Sequence, residues 1–172
     1  MASLSDLIRD IPDFPKEGII FKDITPLLAD AEALAEAVRL LAEPFEGAGV
    51  ELVAGIESRG FIFGGAVARQ LGAGFVPLRK PGKLPYKTVR KEYALEYGTD
   101  AVEIHADAVQ PGQKVLMVDD LLATGGTMAA ACELVEGLGG RILGVAFLIE
   151  LCFLNGREKL PGRDVHALIR VE

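Results

Sequence analysis

Apolar residues along this chain follow two rhythms, and each predicts a different kind of element. Leu34, Val38, Leu41 and Phe45 recur at helical spacing, with Asp30 placed to cap the helix before them. Gly47-Ala48-Gly49 stops that run. Val50 to Gly55 is short and apolar, the pattern of a buried strand. Ser58-Arg59-Gly60 reads as a turn, and Phe61 to Leu71 as a second helix. Phe75 to Leu78 predicts another strand, and Pro77 places it at a sheet edge or a strand end. Lys114 to Val118 is the clearest strand and runs straight into Asp119-Asp120. Thr127, Ala131, Leu134, Val135 and Leu138 then mark one helix face, ended by Gly139-Gly140. Ile142 to Ile149 and Val165 to Val171 complete the strands. Strands that alternate with helices and lack a polar face predict an α/β fold, a parallel twisted sheet flanked by helices.

The rhythm breaks at Lys80. From Arg79 to Tyr93 there are six basic residues, two prolines and one glycine, with little apolar periodicity. A long basic loop inside a compact domain is usually functional or disordered. Strand-like pieces follow around Tyr93-Ala94-Leu95 and Val102-Glu103-Ile104, with Tyr97 to Asp100 as the turn of a hairpin.

Composition narrows the class. A chain of 172 residues, half apolar and a quarter charged, fits one globular domain. Its net charge of −7 argues against duplex nucleic acid or an anionic membrane as the main partner. The start has no secretory pattern, and no stretch approaches ~20 uninterrupted apolar residues. A cytoplasmic location is therefore expected. Cys132 and Cys152 are too few for a disulfide framework and read as packed interior positions.

The chemistry concentrates in Val115 to Thr127. A buried strand ends in two carboxylates, and ligands of open α/β sheets bind beyond such strand ends. Ala123-Thr124-Gly125-Gly126-Thr127 follows and leads into a helix. The glycines let successive amides point at one anion, the threonines add hydroxyl donors, and the helix start adds its dipole. The unit is a phosphate cup beside a pair of hydroxyl acceptors, and ribose 5-phosphate has the matching layout.

This run resembles the phosphoribosyl diphosphate-binding signature of the type I phosphoribosyltransferases. Five further segments bring the resemblance to the adenine-using members: Ile11 to Pro15, Phe21 to Pro26, Glu57 to Phe61, Arg79 to Pro85, and Leu95 to Thr99. They fall in the family's order and span nearly the whole chain. The resemblance implies a single domain over 1–172, with a short N-terminal hood over the purine (1–29) and a flexible lid loop with hairpin (81–98). It implies purine salvage: transfer of the phosphoribosyl group from phosphoribosyl diphosphate to adenine, giving AMP and pyrophosphate. By position, Asp119 and Asp120 would hold the ribose hydroxyls, and Ala123, Thr124, Gly125, Gly126 and Thr127 the 5-phosphate.

Arg59 and Lys80 would face the diphosphate, and a cis peptide is implied at Glu57-Ser58. An arginine fork suits phosphate oxygens, and stabilising the leaving group's charge is often the largest catalytic term. Lys83 in the basic loop would lower the cost of binding the diphosphate, while the loop keeps water from the reacting carbon. Glu96 is the acid–base candidate, implied to approach purine N7, with Tyr97 packed alongside; a strand-edge glutamate facing solvent is the competing reading. Phe21 would stack on the base. Many relatives carry arginine in place of Lys22, which leaves a backbone contact there intact and puts a side-chain contact in doubt. Mg2+ is expected as counter-ion, held mainly by substrate oxygens with no protein ligand named. A homodimer is implied by the family alone. Two alternatives stand: a sister enzyme using another purine, and a non-catalytic sensor of phosphoribosyl diphosphate. His105 and His166 fit neither a catalytic triad nor a zinc site.

Overall fold

The computed structural model describes residues 3–95 and 97–172. A 3-10 turn (Leu4–Leu7) leads into an antiparallel ribbon of β1 (Arg9–Pro12) and β2 (Ile20–Asp23). Two cross-strand ion pairs staple it, Arg9–Asp23 at 2.7 Å and Lys22–Asp10 at 2.6 Å. Then come α1 (Thr25–Ala29), α2 (Ala31–Ala42), β3 (Leu52–Ile56), α3 (Arg59–Leu71) and β4 (Gly74–Leu78). A second ribbon, β5 (Thr88–Ala94) and β6 (Thr99–His105), precedes β7 (Lys114–Leu122), α4 (Gly126–Gly137), β8 (Arg141–Leu151) and β9 (Val165–Val171).

Among the described residues, five strands form one parallel sheet in the order β4-β3-β7-β8-β9. Alternation along each strand splits its side chains between two faces. Leu116 and Val118 of β7 join Val53, Leu148 and the apolar stripes of α1, α2 and α3. Val115 and Met117 join Ala54, Phe147, α4 and β6 on the other face. The central strands are buried on both sides, which is why they read as continuous apolar runs. Asp30 caps α2 as expected, its Oδ1 accepting the Glu32 and Ala33 N–H groups at 3.0 and 2.9 Å. Pro77 lies on the edge strand β4, where its missing N–H costs the sheet nothing.

Several boundaries differ from the sequence expectation. The helix expected from Phe61 starts at Arg59, so that arginine sits in the first helical turn. Phe45 falls outside α2, in a 3-10 turn (Glu43–Phe45), and is still buried. The basic segment is half strand. Thr88 to Ala94 pairs along its length with β6, leaving a loop only from 81 to 87. β5 sets only Val89 and Tyr93 against the core, so the charged residues between them hid the first part of the strand.

The strand β7 also runs four residues past Val118. β3 pairs with β7 only as far as Gly55↔Val118, whereas β8 continues alongside to Leu122↔Glu150. The acidic pair therefore lies inside the strand, on a stretch with a neighbour on one side only. That step in the sheet is the crevice.

Candidate active site

Asp119 and Asp120 project from this half-paired stretch. The Asp120 N–H donates to Asp119 Oδ1 at 2.8 Å. Burial, with the neighbouring Asp120 carboxylate second, lifts the Asp119 carboxyl well above its ordinary value. Asp120 is buried, and its Oδ2 lies 2.8 Å from Arg59 Nε but out of line for a hydrogen bond. Arg59 thus offsets the buried Asp120 charge by proximity and leaves this oxygen able to accept a well-aligned donor.

Arg59 connects this pair to the N-terminal ribbon. Its Nη1 donates to the Lys22 carbonyl at 3.4 Å, and its guanidinium lies 4.8 Å from the Phe21 ring centroid. Phe14 meets Phe21 edge-on at 5.1 Å. Lys22 turns its amine to Asp10 and presents its backbone carbonyl toward Arg59. Phe21, Lys22, Arg59 and Asp120 thus form one connected group, although the ribbon and the acidic pair are far apart in sequence.

Beyond Leu122 the chain turns into α4 through Ala123, Thr124 and Gly125. Gly125 has φ +87°, a left-handed conformation that favours glycine. Asp119, Ala123, Thr124, Gly125 and Thr127 line a cavity of about 90 Å³. Gly126 opens the twelve-residue α4 beside it, so the helix N-terminus faces the same place. A larger concavity of about 790 Å³ lies at the β9 edge, between α2 and the N-terminal turn. It brings no carboxylate pair to a glycine loop, and the smaller cup is where the chemistry converges.

A phosphoribosyl transferase domain model matches residues 22–165. The adenine phosphoribosyltransferase of Clostridium perfringens is 59% identical over 167 residues, covering 97% of this chain and 97% of that protein. The chain belongs to the adenine phosphoribosyltransferase family. The solved adenine phosphoribosyltransferase of Thermoanaerobacter pseudethanolicus matches with a TM-score of 0.95 at 56% identity, over 98% of this chain and 100% of that one. The Saccharomyces cerevisiae enzyme, solved with an imino-altritol bisphosphate and adenine, matches at 43% identity and TM-score 0.90 over 96% of each chain.

Other residues that the family resemblance picked out stand around a second acidic hub. Glu57 accepts the Lys80 N–H at 2.5 Å and the Lys83 amine at 2.9 Å, with Arg79 Nε at 3.6 Å. Burial opposes the Glu57 charge, but these donors outweigh it and hold its carboxyl below the usual range. The Glu57–Ser58 peptide is cis. Lys80 bonds through its amine to Asp100 and, at 3.1 Å, to the Tyr93 hydroxyl. Burial pulls that amine's pKa down, and these two partners more than reverse it. Tyr97 lies apart in the β5–β6 turn, 83% exposed. Glu96 lies outside the described residues.

Sequence reasoning missed the roles of Glu57, Asp100 and Gly156. Glu57 and Asp100 stood inside quoted or turn segments, with no signal for their cationic partners. Gly156 follows Asn155, an Asn-Gly turn pair, and packs backbone to backbone on Ala123 and Gly125. His105 accepts the Tyr86 N–H at 3.3 Å, and His166 pairs with Asp164 at 3.1 Å.

Proposed function

We propose that this chain transfers the phosphoribosyl group of phosphoribosyl diphosphate to adenine, forming AMP and pyrophosphate in purine salvage. The observation that carries the assignment is the unbroken β7–loop–α4 unit, where Asp119 lines a phosphate-sized cup and the neighbouring Asp120 is buried against Arg59. Asp119 and Asp120 accept the ribose hydroxyls, and Ala123 to Thr127 enclose the 5-phosphate with amides and hydroxyls. Arg59 stands at the first turn of α3 between the acidic pair and Phe21, so it faces both the diphosphate side and the base side. Lys80 and Lys83 complete the cationic rim once they exchange Asp100 and Glu57 for substrate.

In the reaction the bond from ribose C1 to the diphosphate oxygen breaks and the bond from C1 to adenine N9 forms. The electron pair leaves with pyrophosphate, and the N9 proton is released. Arg59 and the lysines stabilise the charge gathering on the leaving oxygens. Glu96 protonates or hydrogen-bonds N7, and Tyr97 moves in with it as the 81–98 segment closes over C1 and excludes water. Residues 1–29 form the hood over the purine, with Phe21 stacking on the base and the Lys22 backbone reading its edge.

Mg2+ belongs to the same assignment. Substrate oxygens would supply most of its ligands, because Mg2+ dehydrates reluctantly and seldom takes an all-protein cage. When bound, the ion would offset diphosphate charge beside Arg59, Lys80 and Lys83. Ile62 on α3 and Phe75 on β4, 43% and 36% exposed, give a homodimer an apolar contact. Among the described residues no helix is long and apolar enough to cross a membrane, and a cytoplasmic location is the corresponding proposal.

The test is an absorbance assay with magnesium and phosphoribosyl diphosphate, offering adenine, hypoxanthine and guanine separately. AMP formed with adenine alone supports the assignment. Turnover of another purine instead overturns the base site, and binding without turnover makes the chain a sensor. Light scattering at assay concentration checks the dimer.

A further inference from the structure

The loop that holds the 5-phosphate is itself held from behind. A Cβ on Gly125 would lie 2.4 Å from the Gly156 carbonyl oxygen, and a Cβ on Gly156 would lie 2.5 Å from the Ala123 carbonyl oxygen and 2.8 Å from Leu122 Cδ1. The two backbones touch with no side chain between them. The position of the Asn155–Lys159 turn therefore sets the position of the loop.

An ion pair ties that turn to the end of β8. Arg157 donates Nε and Nη2 to the two oxygens of Glu150, both at 2.7 Å, and Nη1 to the Val165 carbonyl at 3.0 Å. Glu150 is 4% exposed and lies near the end of β8, in register with Leu122 on β7 and Arg170 on β9. Arg170 Nε adds a second cation at 3.6 Å. A bidentate fork fixes direction as well as distance. A buried ion pair is weak evidence for net stability, since desolvation offsets its attraction. Neither Glu150 nor Arg157 lines the phosphate cup.

We propose that Arg157, oriented by Glu150, is a positioning residue for the 5-phosphate. It pins the Asn155–Lys159 turn to the end of the sheet, and Gly156 passes that position to Ala123 and Gly125 by direct backbone contact. The assignment rests on Ala123 to Thr127 being the 5-phosphate cup.

Arg157→Gln and Arg157→Lys, the latter keeping charge but losing the fork, are to be titrated by calorimetry with ribose 5-phosphate and, separately, with pyrophosphate. Thr127→Val serves as the direct test of the cup. Ribose 5-phosphate affinity and the KM for phosphoribosyl diphosphate are expected to worsen by about tenfold or more in Arg157→Gln. Arg157→Lys should fall between it and wild type, with pyrophosphate affinity and the KM for adenine unchanged. A Thr127→Val effect without an Arg157→Gln effect overturns the proposal and leaves the cup standing. Unchanged ribose 5-phosphate binding in Thr127→Val removes the cup, and the proposal with it. Equal weakening of both probes in Arg157→Lys, with a lowered melting temperature, also overturns it, because that is general loosening.

Discussion

Gly60, the second residue of α3, leaves no space beside Asp119. An alanine Cβ there would lie 2.6 Å from Asp119 Oδ1 and 3.3 Å from Asp119 Cα. Ordinary contact begins at 3.4 Å, so the oxygen must retreat by about 0.8 Å. Asp119 is short, and the same oxygen accepts the Asp120 N–H at 2.8 Å, so any retreat disturbs that bond as well. Overpacking costs about 1–3 kcal/mol, while alanine's better helix propensity returns about 0.5–1 kcal/mol. The net loss of stability should stay near 2 kcal/mol or below. Catalysis is less forgiving, because a displacement near 1 Å costs about 100-fold. Gly60→Ala is therefore expected to lower kcat/KM for phosphoribosyl diphosphate by about 10- to 100-fold, read by absorbance, while circular dichroism shows a folded protein. Gly65→Ala is the control, in the same helix with nothing within 4 Å of its Cβ. It should keep wild-type kinetics and gain about 1–4 °C in melting temperature. Wild-type kinetics in a folded Gly60→Ala would refute the link between this contact and the acidic pair.

Three further outcomes are expected. The folded chain binds the Asp119 proton more tightly than the unfolded chain, so ionising Asp119 works against folding above about pH 4. Asp119→Asn should raise the melting temperature at pH 7, lose that gain below about pH 4, and abolish phosphoribosyl diphosphate binding; a lower melting temperature at pH 7 counts against it. Asp23 is held at about 2 by the Thr25 N–H first, then by Arg9 and the Thr25 hydroxyl. Its contribution to folding is present above the ordinary value of 3.8 and lost as pH falls through about 2. In Arg9→Gln its NMR titration midpoint should rise yet remain below 3.8, and an unmoved midpoint refutes the pairing. Burial pushes the Cys132 thiol up to about 12, so peptide mapping after alkylation at pH 8 should find the half-buried Cys152 modified first. Equal labelling of both in native protein contradicts that placement.

The parallel sheet and its helices were legible because burial on two faces leaves an unmistakable apolar run, as in Val115 to Val118. The phosphate loop was legible because its glycines and threonines are contiguous. Less visible was anything set by a neighbouring strand. β7 outruns its apolar core only because β8 goes on pairing to Leu122↔Glu150, and no local pattern around Asp119 carries that information. The hairpin was legible at its turn end, around Tyr93-Ala94-Leu95 and Val102-Glu103-Ile104, but the first half of β5 was hidden for a related reason: Lys91 faces α4 with Val89 and Tyr93 and pairs with Glu133 at 2.7 Å, so a charge stands where alternation calls for an apolar residue. Arg59 was found by motif, but its bridge from Asp120 to Phe21 depends on how the ribbon docks. Glu57 and Gly156 act through partners more than twenty residues away, and Asp100 through Lys80 twenty residues away, and single-sequence reading has no access to such distances.

The contact between Gly125 and Gly156 also bears on how this chain can change. Most tight spots in a protein core can be relieved by trimming the neighbour, so a larger residue at one site is paired with a smaller one at the other. Here both sites already carry no side chain, and the clash would be with a carbonyl oxygen that no substitution removes. No compensating partner exists for either position. A library built to alter the acceptor base should leave both glycines fixed and place its diversity on the N-terminal ribbon, where Phe14 and Ile20 are half exposed and substitutions have somewhere to go.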